Sequence, residues 1–146
     1  MPELDELPVS GRIAPRADGV DAPFWEGLRR GELQIQRCAG CSTWWWFPVW
    51  RCGDCGSWEL AWQTVPQRGL VYSWIRTHQP FGTEMAKVVP YVNVLVELPD
   101  AGGRRLLGLL VGNDDGLAIG AEVVGRIQKP SAQTNDQAVL RWELAR

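Results

Sequence analysis

Four cysteines constrain this chain more than any other feature. They form two Cys-x-x-Cys pairs, Cys38/Cys41 and Cys52/Cys55, separated by ten residues. A Cys-x-x-Cys turn sets two thiolates about one tetrahedral edge apart. Two such turns at the ends of a short hairpin close a four-sulfur site of the kind Zn²⁺ prefers. The spacing therefore predicts a small ribbon around one structural Zn²⁺ per chain. A redox Cys-x-x-Cys and a rubredoxin-like iron site are the rival readings. Nothing in the pattern offers the open coordination position of a catalytic zinc. Arg37 and Arg51 each directly precede a cysteine, and cations beside the sulfurs favour the thiolate form. Gly53 and Gly56 let the second loop wrap its amides around sulfur, whereas the first loop has Gly40 within it and Ser42 after it.

The stretch between the pairs contains "TWWWFPVW". Strand alternation would put Thr43, Trp45, Phe47 and Val49 on one side, and Trp44, Trp46, Pro48 and Trp50 on the other. A ribbon this thin has no interior. It can lay one face on a neighbouring domain, which leaves the other exposed. Each Trp carries roughly 150–250 Å² of buriable surface, and two or three left bare would match the largest patch of a typical monomer, about 300–600 Å². Trp44, Trp45, Trp46 and Trp50 are therefore candidate partner-interface residues. The competing expectation is that all four pack onto the rest of the chain.

Residues 1 to about 20 are rich in Pro, Gly and acid without an apolar period, and read as an extended arm. "DAPFWEGLRRG" reads as a short helix, with Asp21 as N-cap, Pro23 in the first turn and Gly31 as the stop. "ELQIQR" alternates and leads into Cys38. Beyond the cysteines the texture becomes β-branched and aromatic: "GLVYSWIRTH", "VPYVNVLVEL", "RRLLGLLVG", "AEVVGRIQKP" and "AVLRWELAR". Turn signals separate these runs. Five short strands with a long middle connection predict a small Greek-key barrel of the oligonucleotide/oligosaccharide-binding (OB) type, with a small sandwich as the rival. The fold class expected is thus mainly β: a short helix, a rubredoxin-like four-cysteine zinc ribbon and a five-stranded OB-fold barrel. The corresponding division is an arm over 1–20, helix plus ribbon over 21–62, and barrel over 63–146. No internal repeat is apparent at this level. The N-terminus lacks the pattern of a secretory signal, no run is long enough to span a membrane, and four unpaired thiols suit the cytoplasm.

In order along the chain, "FWEGL", "GELQIQRCAGC", "FP", "RCGDCGS", "GLVYSWIRTH", "VPYVNVLVEL", "LLGLLVG" and "IGAEVVGRI" resemble the acyl-CoA-associated zinc-ribbon/OB proteins known as domain of unknown function 35. The resemblance runs from about residue 22 to 145. It implies a non-catalytic accessory subunit in a hetero-oligomer with a thiolase-superfamily enzyme, either a thiolase or a thiolase-like aldolase of steroid side-chain breakdown. It also implies acyl-CoA at or near the interface. Cys38, Cys41, Cys52 and Cys55 fall on the family's metal ligands, and Phe47–Pro48 on its aromatic–proline step. Trp44–Trp46 depart from a loop that is usually less bulky.

No nucleophile–base pair or phosphate-binding Gly-rich loop is evident, so no catalytic residue is assigned. His78, the only histidine, closes a strand. CoA carries phosphates, which makes Arg76, His78, Lys87, Arg104 and Arg105 the candidates for touching it. Asp114, Asp115 and Glu84 read as loop solvation. The alternative function is a single-stranded nucleic-acid-binding zinc-ribbon/OB module, with tryptophans stacking bases. Charge argues against it: the net charge is -2, and from residue 65 onward nine Lys/Arg face eight Asp/Glu. Neither nucleic acid nor membrane is expected as a partner.

Overall fold

A computed structural model describes residues 3–9 and 15–146. Among the described residues one α-helix, α1 (Ala22–Arg29), precedes eight strands. The first three are β1 (Leu33–Cys38), β2 (Trp44–Trp45) and β3 (Leu60–Val65), an antiparallel sheet in the order β2-β1-β3. The remainder are β4 (Arg68–Thr77), β5 (Tyr91–Leu98), β6 (Arg104–Val111), β7 (Glu122–Gln128) and β8 (Val139–Leu144). These close into a barrel in the order β4-β5-β6-β8-β7. All five apolar runs of the sequence become barrel strands, and closure rules out the sandwich.

Alternation sets the barrel interior. In β5, Val92, Val94, Val96 and Leu98 are buried every second residue; in β8, Leu140, Trp142 and Leu144 do the same. Gly108 on β6 leaves room for the Trp142 indole, since a Cβ there would stand 2.7 Å from Trp142 Cδ1. β6 and β8 run parallel and pair at only two positions, Leu110↔Trp142 and Val111↔Glu143. Their earlier residues diverge.

Helix, ribbon and barrel share one core. Phe24 and Leu28 of α1, Leu33 and Ile35 of β1, and Val65 of β3 cluster with the barrel's inward side chains. Gly27 brings the helix close to β1, where a Cβ would meet Gln34 Cγ at 2.6 Å. Pro23 lies in the first helical turn and Gly31 ends the helix at φ +80°. Asp21 holds the expected N-cap position, but its side chain is used differently. Its carboxylate accepts from Trp25 Nε1 at 3.0 Å, one turn along, and caps no backbone N–H.

The N-terminal arm also differs in part from a free extension. Within 3–9 it forms a 3₁₀ turn, Leu4–Glu6, and inserts Leu7 fully into a second cluster with Met85, Val88, Tyr91, Leu109 and Val111 on the outer barrel wall. Buried Gln128 donates to the Leu7 carbonyl at 2.7 Å, and Arg141 donates to the Pro8 carbonyl at 3.0 Å. Of the rest of the segment read as an arm, residues 1–2 and 10–14 lie outside the described residues.

Candidate metal centre and the ribbon surface

The four cysteines converge as their spacing requires. Their sulfurs all lie within 4.8 Å of one another, with Cys38–Cys55 and Cys41–Cys52 each at 3.6 Å. Zn–S bonds of about 2.3 Å arranged tetrahedrally give S···S edges of about 3.8 Å. The site therefore has the dimensions of a four-thiolate metal centre. Cys38 and Cys52 are buried, Cys41 and Cys55 exposed.

The electrostatics of the cluster ask for a cation. For Cys52, burial pushes the thiol up. Hydrogen bonds from the backbone N–H groups of Cys55 and Asp54 and from Cys41, with the Trp45 indole close by, outweigh this and set it at about 6. For Cys55, the Ser57 backbone N–H favours the thiolate, but crowding by the sulfurs of Cys38, Cys41 and Cys52, together with burial, pushes it up to about 12. Four sulfurs this close cannot all carry negative charge unless a metal compensates them.

Each cysteine pair sits in the same knuckle. Ser42 N–H donates to the Cys38 carbonyl and Gly56 N–H to the Cys52 carbonyl, both at 2.9 Å. Arg37 Nε donates to the Ser42 carbonyl and Arg51 Nε to the Gly56 carbonyl, both at 2.8 Å. Arg37 stacks over Trp44 at 4.7 Å, and Arg51 over Trp58 at 5.3 Å. The chain thus contains an internal repeat after all: "RCAGCSTW" over 37–44 and "RCGDCGSW" over 51–58. The unit is eight residues long, far shorter than a domain-scale repeat. Ser42 stands where the second copy has glycine, and it adopts the same left-handed backbone, φ +66° against +79° at Gly56. The two arginines serve the knuckles as carbonyl clamps.

The tryptophan run keeps strand alternation only over Trp44–Trp45. Trp44 and Trp46 pack against the main core, and Trp46 also meets Phe24 at 4.7 Å between ring centroids. Trp45 is half-buried, close to Gly53 and 5.1 Å beneath the Arg104 guanidinium. Trp50 stays 66% exposed. With it stand Phe47 at 60% and Trp58 at 71%, the latter not singled out by sequence. Trp58 is the repeat mate of Trp44: one copy meets the barrel, the other meets solvent.

The five candidate CoA contacts do not form one cluster. Arg105 bonds Glu97 at 3.2 Å and stacks on Tyr72, with Arg104 adjacent over Trp45. Arg76 pairs with Asp114 at 2.6 Å, which gives that aspartate a partner where loop solvation was expected. Arg76 lies opposite Val92 on β5, whereas Arg105 lies opposite Glu97. Five residues at about 3.4 Å each separate the two registers by roughly 17 Å. His78 is exposed just past β4, and exposed Lys87 ends the 3₁₀ turn Glu84–Lys87.

The family model described as "ChsH2, C-terminal OB-fold domain" matches residues 62–128, a span inside the ribbon-to-barrel region. A solved structure named "Ltp2-ChsH2(DUF35) aldolase" contains a chain 32% identical to this one. It superposes with a TM-score of 0.78 over 91% of this chain and 100% of that one. The chain belongs to the DUF35/ChsH2 OB-fold family. A DUF35 protein of unknown function from Sulfolobus solfataricus shares the fold at 18% identity, with a TM-score of 0.58 over 88% of this chain and 87% of that one. Among curated proteins, a probable enoyl-CoA hydratase alpha subunit of Thermomonospora curvata is 38% identical over 125 residues, 84% of this chain. The 3-oxo-4,17-pregnadiene-20-carboxyl-CoA hydratase alpha subunit of Mycobacterium tuberculosis is 34% identical over 120 residues, 82% of this chain. The matched region is 37% of the length of each of these two relatives. Among the described residues, no helix is long and apolar enough to cross a membrane.

Proposed function

We propose that this protein is a non-catalytic accessory subunit that docks through its ribbon on a thiolase-superfamily enzyme acting on an acyl-CoA, with a steroid side-chain thioester as the candidate substrate. The carrying observation is the trio Phe47, Trp50 and Trp58, large aromatic rings at 60%, 66% and 71% exposure on one small ribbon. Their exposed surfaces sum to on the order of 400 Å². Two kinds of likeness support the reading. The structural relative is named as a chain of the Ltp2-ChsH2(DUF35) aldolase, and both curated relatives are named as alpha subunits of CoA-thioester hydratases. On this reading the four thiolates hold one structural Zn²⁺, in a closed site that leaves no open position for substrate.

The bound zinc would fix the two knuckles and so aim Trp50 and Trp58 outward. Trp44 and Trp46 support that surface from behind through the core. Acyl-CoA lies at or near the interface, with Arg104 and Arg105 the nearer of the candidate pairs to the ribbon.

The test is co-expression with a candidate thiolase-superfamily enzyme, then pull-down of Trp50→Ala and Trp58→Ala variants with zinc content checked. Loss of a buried interface Trp costs about 2 kcal/mol or more, roughly 30-fold in affinity. At least one variant should lose the enzyme while keeping zinc and melting temperature. If both keep full affinity, the docking face is not the ribbon.

A further inference from the structure

A slot opens where β6 and β8 diverge. It has a volume of about 310 Å³ and is lined by Leu107 and Leu109 on one strand and by Val139 and Arg141 on the other. Phe24, Trp25 and Trp46 wall one side. That volume lies at the lower end of the range for small-molecule sites.

Arg141 is the unusual member. Its neighbours Leu140 and Trp142 belong to the barrel core, so strand alternation turns Arg141 to the outer wall. The arm then covers it, leaving 7% of it exposed. Its Nε donates to Gln128 Oε1 at 2.9 Å and one Nη to the Pro8 carbonyl at 3.0 Å. Both acceptors are neutral. Among the described residues no carboxylate pairs with it, and a guanidinium carries five N–H donors. Burial lowers its ordinary value to about 10, which still leaves it a cation at neutral pH. A buried, unpaired cation is costly in a fold unless something anionic meets it.

The geometry points to a binding site for an apolar monocarboxylate: its flat body lies against Trp25, Trp46 and Leu107, and its carboxylate takes the free N–H groups of Arg141. A carboxylate fits better than a phosphate because, among the described residues, Arg141 is the only Lys or Arg lining the slot, enough for one negative charge. This reading stands apart from the docking reading, since it uses none of the exposed ribbon aromatics.

The experiment is calorimetric titration of the full, metal-loaded chain with 2-naphthoate and with 2-naphthamide, its neutral isostere. The carboxylate should bind about tenfold tighter or better, and Arg141→Gln should erase the difference. Because Arg141 also holds the Pro8 carbonyl, a second variant guards against a folding artefact. Leu107, 71% exposed, lines the slot from its open side, and Leu107→Trp adds bulk there without disturbing the core. It should abolish 2-naphthoate binding with the melting temperature unchanged. Equal binding of acid and amide, or undiminished 2-naphthoate binding in either variant, would overturn the assignment.

Discussion

Removing the metal should unfold more than the ribbon. The perturbation is quantitative chelation of the reduced protein, or Cys52→Ala. Once the knuckles open, β1 and β3 lose their anchor, and α1 loses the strand it packs on. Phe24, Leu28, Leu33, Ile35 and Val65 would leave the shared core, where each is at most 6% exposed. At about 1.5–3 kcal/mol for each side chain, the loss is about 7–15 kcal/mol, an upper estimate on an extended-chain reference. A whole domain of this size is stable by only about 5–15 kcal/mol. The barrel therefore has no reserve with which to stay folded alone, and helix, ribbon and barrel should be lost together. Hydrogen exchange of the β5 and β6 amides, followed alongside metal content, reads this directly. Protection should disappear in step with the metal. Native protection of β5 and β6 in fully metal-free protein would refute the reasoning and show that the barrel is an independent unit.

Leu7→Ala should destabilise the protein by about 2–4 kcal/mol, since the side chain is fully buried in the outer cluster. Thermal melting should show a drop of roughly 5–15 °C, and an unchanged melt would mean the arm does not dock. Gly69→Ala should cost about 1–3 kcal/mol or more, because its Cβ would stand 2.4 Å from Val96 Cγ1 and 2.5 Å from the Glu97 carbonyl oxygen; denaturant titration measures it. Metal affinity should fall with falling pH. A metal must displace protons from the cluster, above all from Cys55 at about 12. Titrations in buffers of different ionisation enthalpy should therefore record proton release at neutral pH. Asp114→Asn should change stability by less than about 1 kcal/mol, because its pair with Arg76 is solvent-accessible on both sides.

The strands and the metal site were legible because their signals are local. A period of two over eight residues and a fixed cysteine spacing both survive without knowledge of the rest of the fold. The tryptophan run was legible only in part. Alternation correctly separates Trp45 from Trp44 and Trp46. It misjudges the remainder, since β2 ends after two residues and Phe47 and Trp50 follow the loop rather than the strand. Arg141 and Gln128 gave no signal at all. Their partners are the carbonyls of Pro8 and Leu7, more than 120 residues away, and no side-chain pattern marks a carbonyl. The repeated knuckle was readable in "RCxxC" but needed the shared hydrogen bonds to show that the match extends to Trp44 and Trp58.

The hold on the arm is a hold on main-chain atoms. Apart from Leu7, what Gln128 and Arg141 recognise at residues 7 and 8 is available from any amino acid there. Substitutions along the arm should therefore accumulate freely in relatives as long as one apolar anchor keeps its distance from the helix, whereas the two receiving residues cannot drift independently of each other. A search for this module by arm sequence should miss kin that a search for the glutamine at the end of β7 paired with the arginine within β8 would keep.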